Sequence, residues 1–391
     1  MKKLQMIILL VYLSTQIFAQ LAVKGEKVYT MAGDVIENGI VLTENGKIVD
    51  VGRTDEITIP ENYKVIEGKI VTPGLVDARS VVGLAGIYNQ KHDQEQLETS
   101  DPIQPELRAI DAFNPREELI EWIRGFGVTT INTGHAPGAL SSGQTMIIKT
   151  TGDMQNDILD TTAAVVFSLG KEVSGQFKKP GTRPKGIAML RSAFQEAEKY
   201  LENEKDEKSP SLQIQMMANI LSGKTPAVVT ANSAVDILGA IRLAEEFDIN
   251  IILDGAAESY LILDEIKKSG YPVILHPMMS RTKNLSYNTP KLLQENNISF
   301  AIQSGYESYV PKTRVILFEA AIAAANGLSF EEALAAITIN PAKILGINDQ
   351  VGSLEKGKDA DIAIYDGDPF EYTTHCCAVV INGKLVSDEC K

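Results

Sequence analysis

Ile70-Val71-Thr72-Pro73-Gly74-Leu75-Val76-Asp77-Ala78-Arg79-Ser80-Val81 is the stretch on which the chain turns. Before it the sequence is written in short strands and tight turns. Lys27-Val28-Tyr29 reads as a strand, and residues 40–43 and 47–51 form a hairpin across Asn45-Gly46. Val65-Ile66 and Ile70-Val71 are two more short strands around Gly68. After Pro73 the pattern changes to strands alternating with helices.

Helical periodicity over residues 116–126 leads into a buried strand at 127–132. Further strands follow at 146–149 and 163–169, then a long amphipathic helix over 186–201. The charged segment 202–211, with Ser209-Pro210, reads as a solvated connection. The second half is regular: strands at 227–230, 249–253, 273–275 and 299–302 alternate with helices at 234–247, 259–269, 289–296 and 315–325. This alternation predicts an α/β fold of the (β/α)8 TIM-barrel type, without the Gly-x-Gly-x-x-Gly of a dinucleotide fold. Residues 83–115 are mostly polar and read as a long loop over the barrel mouth. Strands return at 361–365 and 378–381, so both ends of the chain are expected to build one small β module.

The ordered motifs resemble the amidohydrolase superfamily over nearly the whole chain. Pro73-Gly74-Leu75-Val76-Asp77 matches the entry to the first barrel strand. Residues 339–347 followed by Gly352-Ser353-Leu354-Glu355-Lys356-Gly357-Lys358-Asp359-Ala360-Asp361 match the return from the last barrel helix, and Asp366-Gly367-Asp368-Pro369 continues the likeness. Gly127-Val128-Thr129-Thr130 and Ser142-Gly143-Gln144 are similar to secreted imidazolonepropionase-like or dipeptidase-like members. The resemblance implies a barrel over 73–347 and a discontinuous β-sandwich from 20–72 plus 348–391. It also implies metal-dependent hydrolysis of C–N bonds.

The family's metal ligands are not where the resemblance places them. Two histidines should follow Asp77, and Arg79 and Val81 stand there instead. The fifth-strand histidine falls at Thr230, the sixth-strand one near Asp254 or Gly255, and the eighth-strand aspartate at Gly305. A hydrocarbon offers no donor, and a guanidinium keeps its protons. The reading is therefore a degenerate member with no cofactor, acting as a binding or partner subunit beside an intact homologue or a second copy. The alternative is an active hydrolase with zinc in a rebuilt site around His135, His276, Asp254 and Glu258. A fixed cation at 79 is expected to pair with Asp77 or Asp254, or to receive a ligand carboxylate. Lys149 and Lys171 read as surface cations, and His92 as solvated.

Residues 1–19 read as a signal peptide: Lys2 and Lys3, an apolar run from Met6 to Leu13, and Ala19 before Gln20. The expected location is periplasmic or secreted, with no membrane segment after cleavage. Formal charge is −14, and −16 once Lys2 and Lys3 are removed, which disfavours nucleic acid. Aromatic residues are 6% and Trp122 is the sole tryptophan, so no carbohydrate-stacking platform stands out. No Gly-x-Ser-x-Gly elbow is present. Cys376, Cys377 and Cys390 flank the Asn382-Gly383 turn; hairpin alternation permits a Cys377–Cys390 bridge and sets His375 opposite Cys390. Zinc bound by His375 and the cysteines is the rival.

Overall fold

The computed structural model describes residues 20–390 except 89, 174, 176, 203–209, 277–283 and 307–315. The signal-peptide reading and most of the 202–211 connection lie outside the described residues. No helix among the described residues is long and apolar enough to cross a membrane.

The strands before Pro73 are β1 (Leu21–Val28), β2 (Ile36–Glu44), β3 (Lys47–Arg53) and β4 (Lys64–Pro73). The next segment holds β5 (Leu75–Ser80), α1 (Glu118–Arg124), β6 (Val128–Gly134), β7 (Ser141–Lys149), β8 (Ile158–Ser168), α2 (Arg183–Glu202) and α3 (Leu212–Leu221). Then come β9 (Ala227–Ala231), α4 (Ala234–Phe247), β10 (Ile251–Gly255), α5 (Leu263–Ser269), β11 (Val273–Leu275), α6 (Thr289–Glu295) and β12 (Phe300–Ile302). α7 (Ile316–Ala325), α8 (Phe330–Ala335), α9 (Ile339–Ile344), β13 (Ile362–Tyr365), β14 (Cys376–Ile381) and β15 (Lys384–Ser387) complete the chain.

Two sheets organise these elements. One has seven strands in the order β15-β14-β13-β4-β1-β2-β3, joining the two ends of the chain. The period-2 alternation sends Ile362 and Ile364 into one apolar cluster with Val23, Val71 and Val380. Ala363 and Tyr365 go to the other face, against Leu317 of α7. The other sheet has eight strands, β5 to β12 in sequence order, and is nearly closed. Gly305 N–H donates to the Arg79 carbonyl at 3.3 Å across the seam. The chain steps from one sheet to the other at Gly74. A Cβ there would lie 2.2–2.8 Å from the Thr129 side chain, so only glycine allows the crossing.

One strand corrects the expected alternation. β7 runs antiparallel to both β6 and β8. The links are residues 135–140 and 150–157, too short for the crossover that a parallel pair needs. The chain therefore folds back in hairpins and resumes β/α units only after β8. The loop 83–115 lies along this hairpin: Gln104 N–H donates to the Ser141 carbonyl and Gln144 N–H to the Leu107 carbonyl, both at 2.8 Å. α3 was not foreseen by periodicity.

The cysteine hairpin carries a bulge that pairs Val379 with Ser387 rather than Val386. This shifts the expected register by one residue, and His375 no longer faces Cys390. Cys377 and Cys390 form a disulfide, Cys376 is free and buried, and His375 Nδ1 sits 3.0 Å from Asp366.

Lys149 is a second correction: it is buried at the junction of the two sheets, not a surface cation. Its Nζ donates to Asp359 at 2.6 Å, to Asp361 and to the Asn382 side chain. Burial pushes the Asp361 carboxyl up despite Lys149. At Asp359 the effect of burial is outweighed by Lys149 and Lys47, and its carboxyl is held low. Removing the amine strands a buried charge. Lys149→Met is expected to cost about 3–5 kcal/mol in urea unfolding, most of it recovered in Lys149→Met/Asp361→Asn. A loss below about 1 kcal/mol would contradict the pairing.

Candidate functional site

The barrel interior is built in layers. Ala78, Ala164, Val228, Ile252, Ile274 and Ala301 form one apolar layer. Because alternate residues of a strand share a face, the next layer toward the strand ends holds Thr230, Asp254, His276 and Gln303. All four are buried. Thr230 Oγ1 donates to Asp254 Oδ2 at 2.5 Å, and Gln303 Nε2 donates to Asp254 Oδ1 at 2.6 Å. Asp254, not Gly255, is thus the sixth-strand residue of the site. On the eighth strand Gly305 closes the seam on the Arg79 carbonyl through its backbone, and Gln303, two residues beyond Ala301, reaches Asp254. Counting by twos from Ala301 would have found it.

β5 is wholly buried, as a strand covered on both faces must be. Its pairing with β6 shifts between Asp77 and Ser80. Asp77 accepts the Ser304 N–H at 3.0 Å, the Ser304 hydroxyl, and the Arg79 N–H at 3.2 Å. Arg79 is 0% exposed and heads the fully buried side chains by size. Its Nη1 donates to the Ser80 carbonyl at 2.9 Å and its Nη2 to the His135 carbonyl. The guanidinium carbon lies 5.9 Å from the centre of the Tyr306 ring, which in turn meets the His276 ring edge-on at 5.1 Å. The expected direct pairing with Asp77 or Asp254 is corrected: two carbonyls take the guanidinium N–H groups, while the carboxyls accept from Thr230, Gln303 and Ser304. Burial lowers the proton affinity of Arg79, and Asp254, Tyr306 and Asp77 act against that loss through space.

Val81 packs with Ala85, Ala136 and Tyr306 in a small apolar cluster at the mouth. His135 is buried, and the one ring contact among the described residues is a hydrogen bond with the Gln96 backbone. Burial, then Arg79, pushes its pKa down to about 4. Glu258 is drawn away to the rim, accepting the Ala234 N–H at 2.8 Å and the Asn284 side chain. His92 is exposed. Asn132 donates to the Ala78 carbonyl at 3.0 Å. Asn132, Gln303, Ser304 and Tyr306 are the site residues that sequence reasoning missed.

The resemblance implies a divalent metal at these strand ends. The described residues do not fit one. Arg79 brings a guanidinium, Val81 a hydrocarbon, Gly305 no side chain, and the Thr230 hydroxyl is spent on Asp254. Among the described residues no three His, Cys, Asp or Glu side chains converge.

Two buried groups give the site opposite pH responses. Burial raises Asp77 to about 6 from an ordinary 3.8, so its contribution to stability is full below pH 3.8 and is lost as pH rises through 6. His135 moves the other way, from 6.5 to about 4; its contribution is full above pH 6.5 and is lost as pH falls through 4. Each is worth on the order of 3 kcal/mol, so the pair nearly cancels. Asp77→Asn is expected to lose on the order of 3 kcal/mol between pH 6.5 and 4, and His135→Gln to gain a similar amount between pH 6 and 3.8. Urea midpoints across that range check both signs.

Comparison with known proteins follows the same outline. A model of the Amidohydrolase family matches residues 312–387. The chain is 23% identical to an imidazolonepropionase from Thermoplasma volcanium, covering 92% of this chain and 93% of that protein. It is 25% identical to an imidazolonepropionase from Fusobacterium nucleatum, covering 90% and 92%. An amidohydrolase, tasK, from Hapsidospora irregularis is 24% identical over 90% of this chain, which spans only 40% of that protein's length. Among solved structures, an amidohydrolase from Thermotoga maritima superposes with a TM-score of 0.88 at 27% identity, covering 94% of this chain and 100% of that one. With the β5-to-β12 barrel, the sheet shared by both chain ends and these likenesses together, the chain belongs to the amidohydrolase superfamily.

Proposed function

We propose that this chain is a member of the imidazolonepropionase-like hydrolases that has given up metal-assisted hydrolysis and works as a binding or partner subunit. The observation that carries the reading is Arg79, a fully buried guanidinium on the first barrel strand where the family places a metal ligand. Hydrolysis of an amide at neutral pH needs a hydroxide, which a divalent ion supplies by lowering the pKa of its water from about 16 to about 7. Holding that ion takes about three nitrogen or oxygen ligands with free lone pairs. At these strand ends both oxygens of Asp254 and of Asp77 already accept hydrogen bonds from Thr230, Gln303 and Ser304, which leaves fewer lone pairs for an ion. A permanent cation nearby repels a second one.

The binding part of the proposal is supported by hydrogen-bonding capacity left unspent. Arg79 Nε, Asn132 Oδ1, Gln303 Oε1 and Ser80 Oγ are buried without partners among the described residues. Buried polar groups are rarely left so, and their grouping suits a small polar guest. An intact homologue or a second copy of the chain is the partner we propose. Its place outside the inner membrane is part of the same proposal, supported by the apolar run at residues 6–13 and by the Cys377–Cys390 bond.

A second reading keeps hydrolysis, with zinc held by His135, His276, Asp254 and Glu258. Its support is that His276 and Asp254 share a layer and that His135 stays neutral, as a ligand must. Glu258 argues against it, since its carboxylate is committed at the rim.

Metal analysis and turnover decide between them. After incubation with excess zinc and desalting, the protein is expected to hold well under one equivalent. It is also expected to hydrolyse neither imidazolonepropionate nor a dipeptide above background. Near-stoichiometric zinc, lost in His276→Ala together with chelator-sensitive turnover, would establish the second reading instead.

A further inference from the structure

A cleft of about 820 Å³ opens between the segment after β8 and the N-terminal halves of α2 and α4. It is separate from the buried polar layer: none of Arg79, Thr230, Asp254, His276 or Gln303 lines it. The two share a wall, since Leu169 on the cleft floor donates its N–H to the Thr230 carbonyl at 3.0 Å.

Four cations line the cleft, Lys171, Arg183, Arg191 and Arg242, against one lining carboxylate, Asp236. On a chain of net charge −14 this is a local reversal of sign. The arrangement is built, not merely displayed. Asp236 is buried and grips Arg183 through two bonds of 2.6 and 2.9 Å while accepting the Ser233 hydroxyl. Gly170, at φ +65°, presses on that carboxyl: a Cβ there would lie 2.1–2.4 Å from its atoms. Only glycine lets the turn close and carry Lys171 to the rim. Arg191 is held by Glu246 at 2.5 and 2.7 Å. Lys171 and Arg242 are exposed and make no ion pair among the described residues. Beneath them the floor is apolar, with Leu140, Leu169, Val173 and Ile187.

We propose that this cleft binds an organic carboxylate with an apolar body. The head group is met by Lys171 and Arg242, which have charge to spend, and the body covers the apolar floor. The size and the mix of an apolar lining with a few convergent charges fit a small-molecule site. A bare inorganic anion would leave the floor uncovered, and an amine would be repelled. Low-dielectric walls of one sign concentrate such an anion from solution. The inference stands apart from the reading of the barrel interior, because it uses none of its residues.

Calorimetric titration with octanoate tests it, with octylamine and inorganic phosphate as companions. Octanoate is expected to bind one site per chain and to weaken with added salt. In Lys171→Glu/Arg242→Glu the affinity is expected to drop about tenfold or more. Ile187→Asp is expected to lower it while leaving the cations in place. Both sets of changes lie at exposed or half-buried positions, and unchanged urea midpoints confirm that each variant is folded. No heat from octanoate on the unaltered protein, equal binding by the charge-reversed variant, or displacement by equimolar phosphate would each overturn the proposal.

Discussion

A guanidinium with no exposed surface sets the terms for the rest of this barrel. Taking a charge out of water costs several kcal/mol unless its surroundings repay it. Arg79 is repaid by two backbone carbonyls, by the face of Tyr306, and through space by Asp254 and Asp77. Each helper is itself held. Asp254 is fixed by Thr230 and Gln303, and Asp77 by Ser304, so residues from β5, β9, β10 and the end of β12 are tied around one cation. His135, whose carbonyl takes one of the N–H groups, is held neutral by its burial and, after that, by the cation beside it. The chemistry of a protein-bound metal and that of a fixed guanidinium differ in one decisive respect. A metal keeps coordination positions open for water and substrate, whereas the guanidinium offers donors and activates no water.

The same logic recurs at the junction between the sheets. Lys149 leaves the barrel at the end of β7 and meets Asp359, Asp361 and Asn382, which flank the returning strands β13 and β14. Electrostatics inside the protein therefore do two separate jobs. One ties the two sheets together, and the other closes the barrel's polar heart. The cleft beside β8 gathers an exposed lysine and arginine over an apolar floor, on a chain of net charge −14.

Much of the architecture was legible in the residues. Pro73-Gly74 marks the step between sheets because no side chain fits beside Thr129. The β/α alternation after residue 226 is regular because each parallel strand is covered on both faces and reads as an apolar run. The hairpins around β7 were harder to see, since a strand's own pattern does not reveal its direction; the short links on either side did. Arg79 and Val81 could be placed because the run from Pro73 to Asp77 pins the register. Gln303 was missed because it was counted from a family motif and not from the alternation of its own strand. Lys149 was misjudged because burial of a lysine depends on carboxylates more than 200 positions away. No local pattern reports such partners. The bulge in the last hairpin was invisible for the same reason, and it decides which residue faces Cys390.

A double-mutant cycle on Arg79→Met and Asp254→Asn, read as urea-unfolding free energies, tests most directly whether a buried charge pair organises the barrel. If it does, each single change costs several kcal/mol, and the two are coupled by more than about 1 kcal/mol, the double variant recovering part of the loss. Additive losses, with a coupling inside about 0.5 kcal/mol, would mean that Arg79 draws nothing from Asp254 and that the account of this interior is wrong.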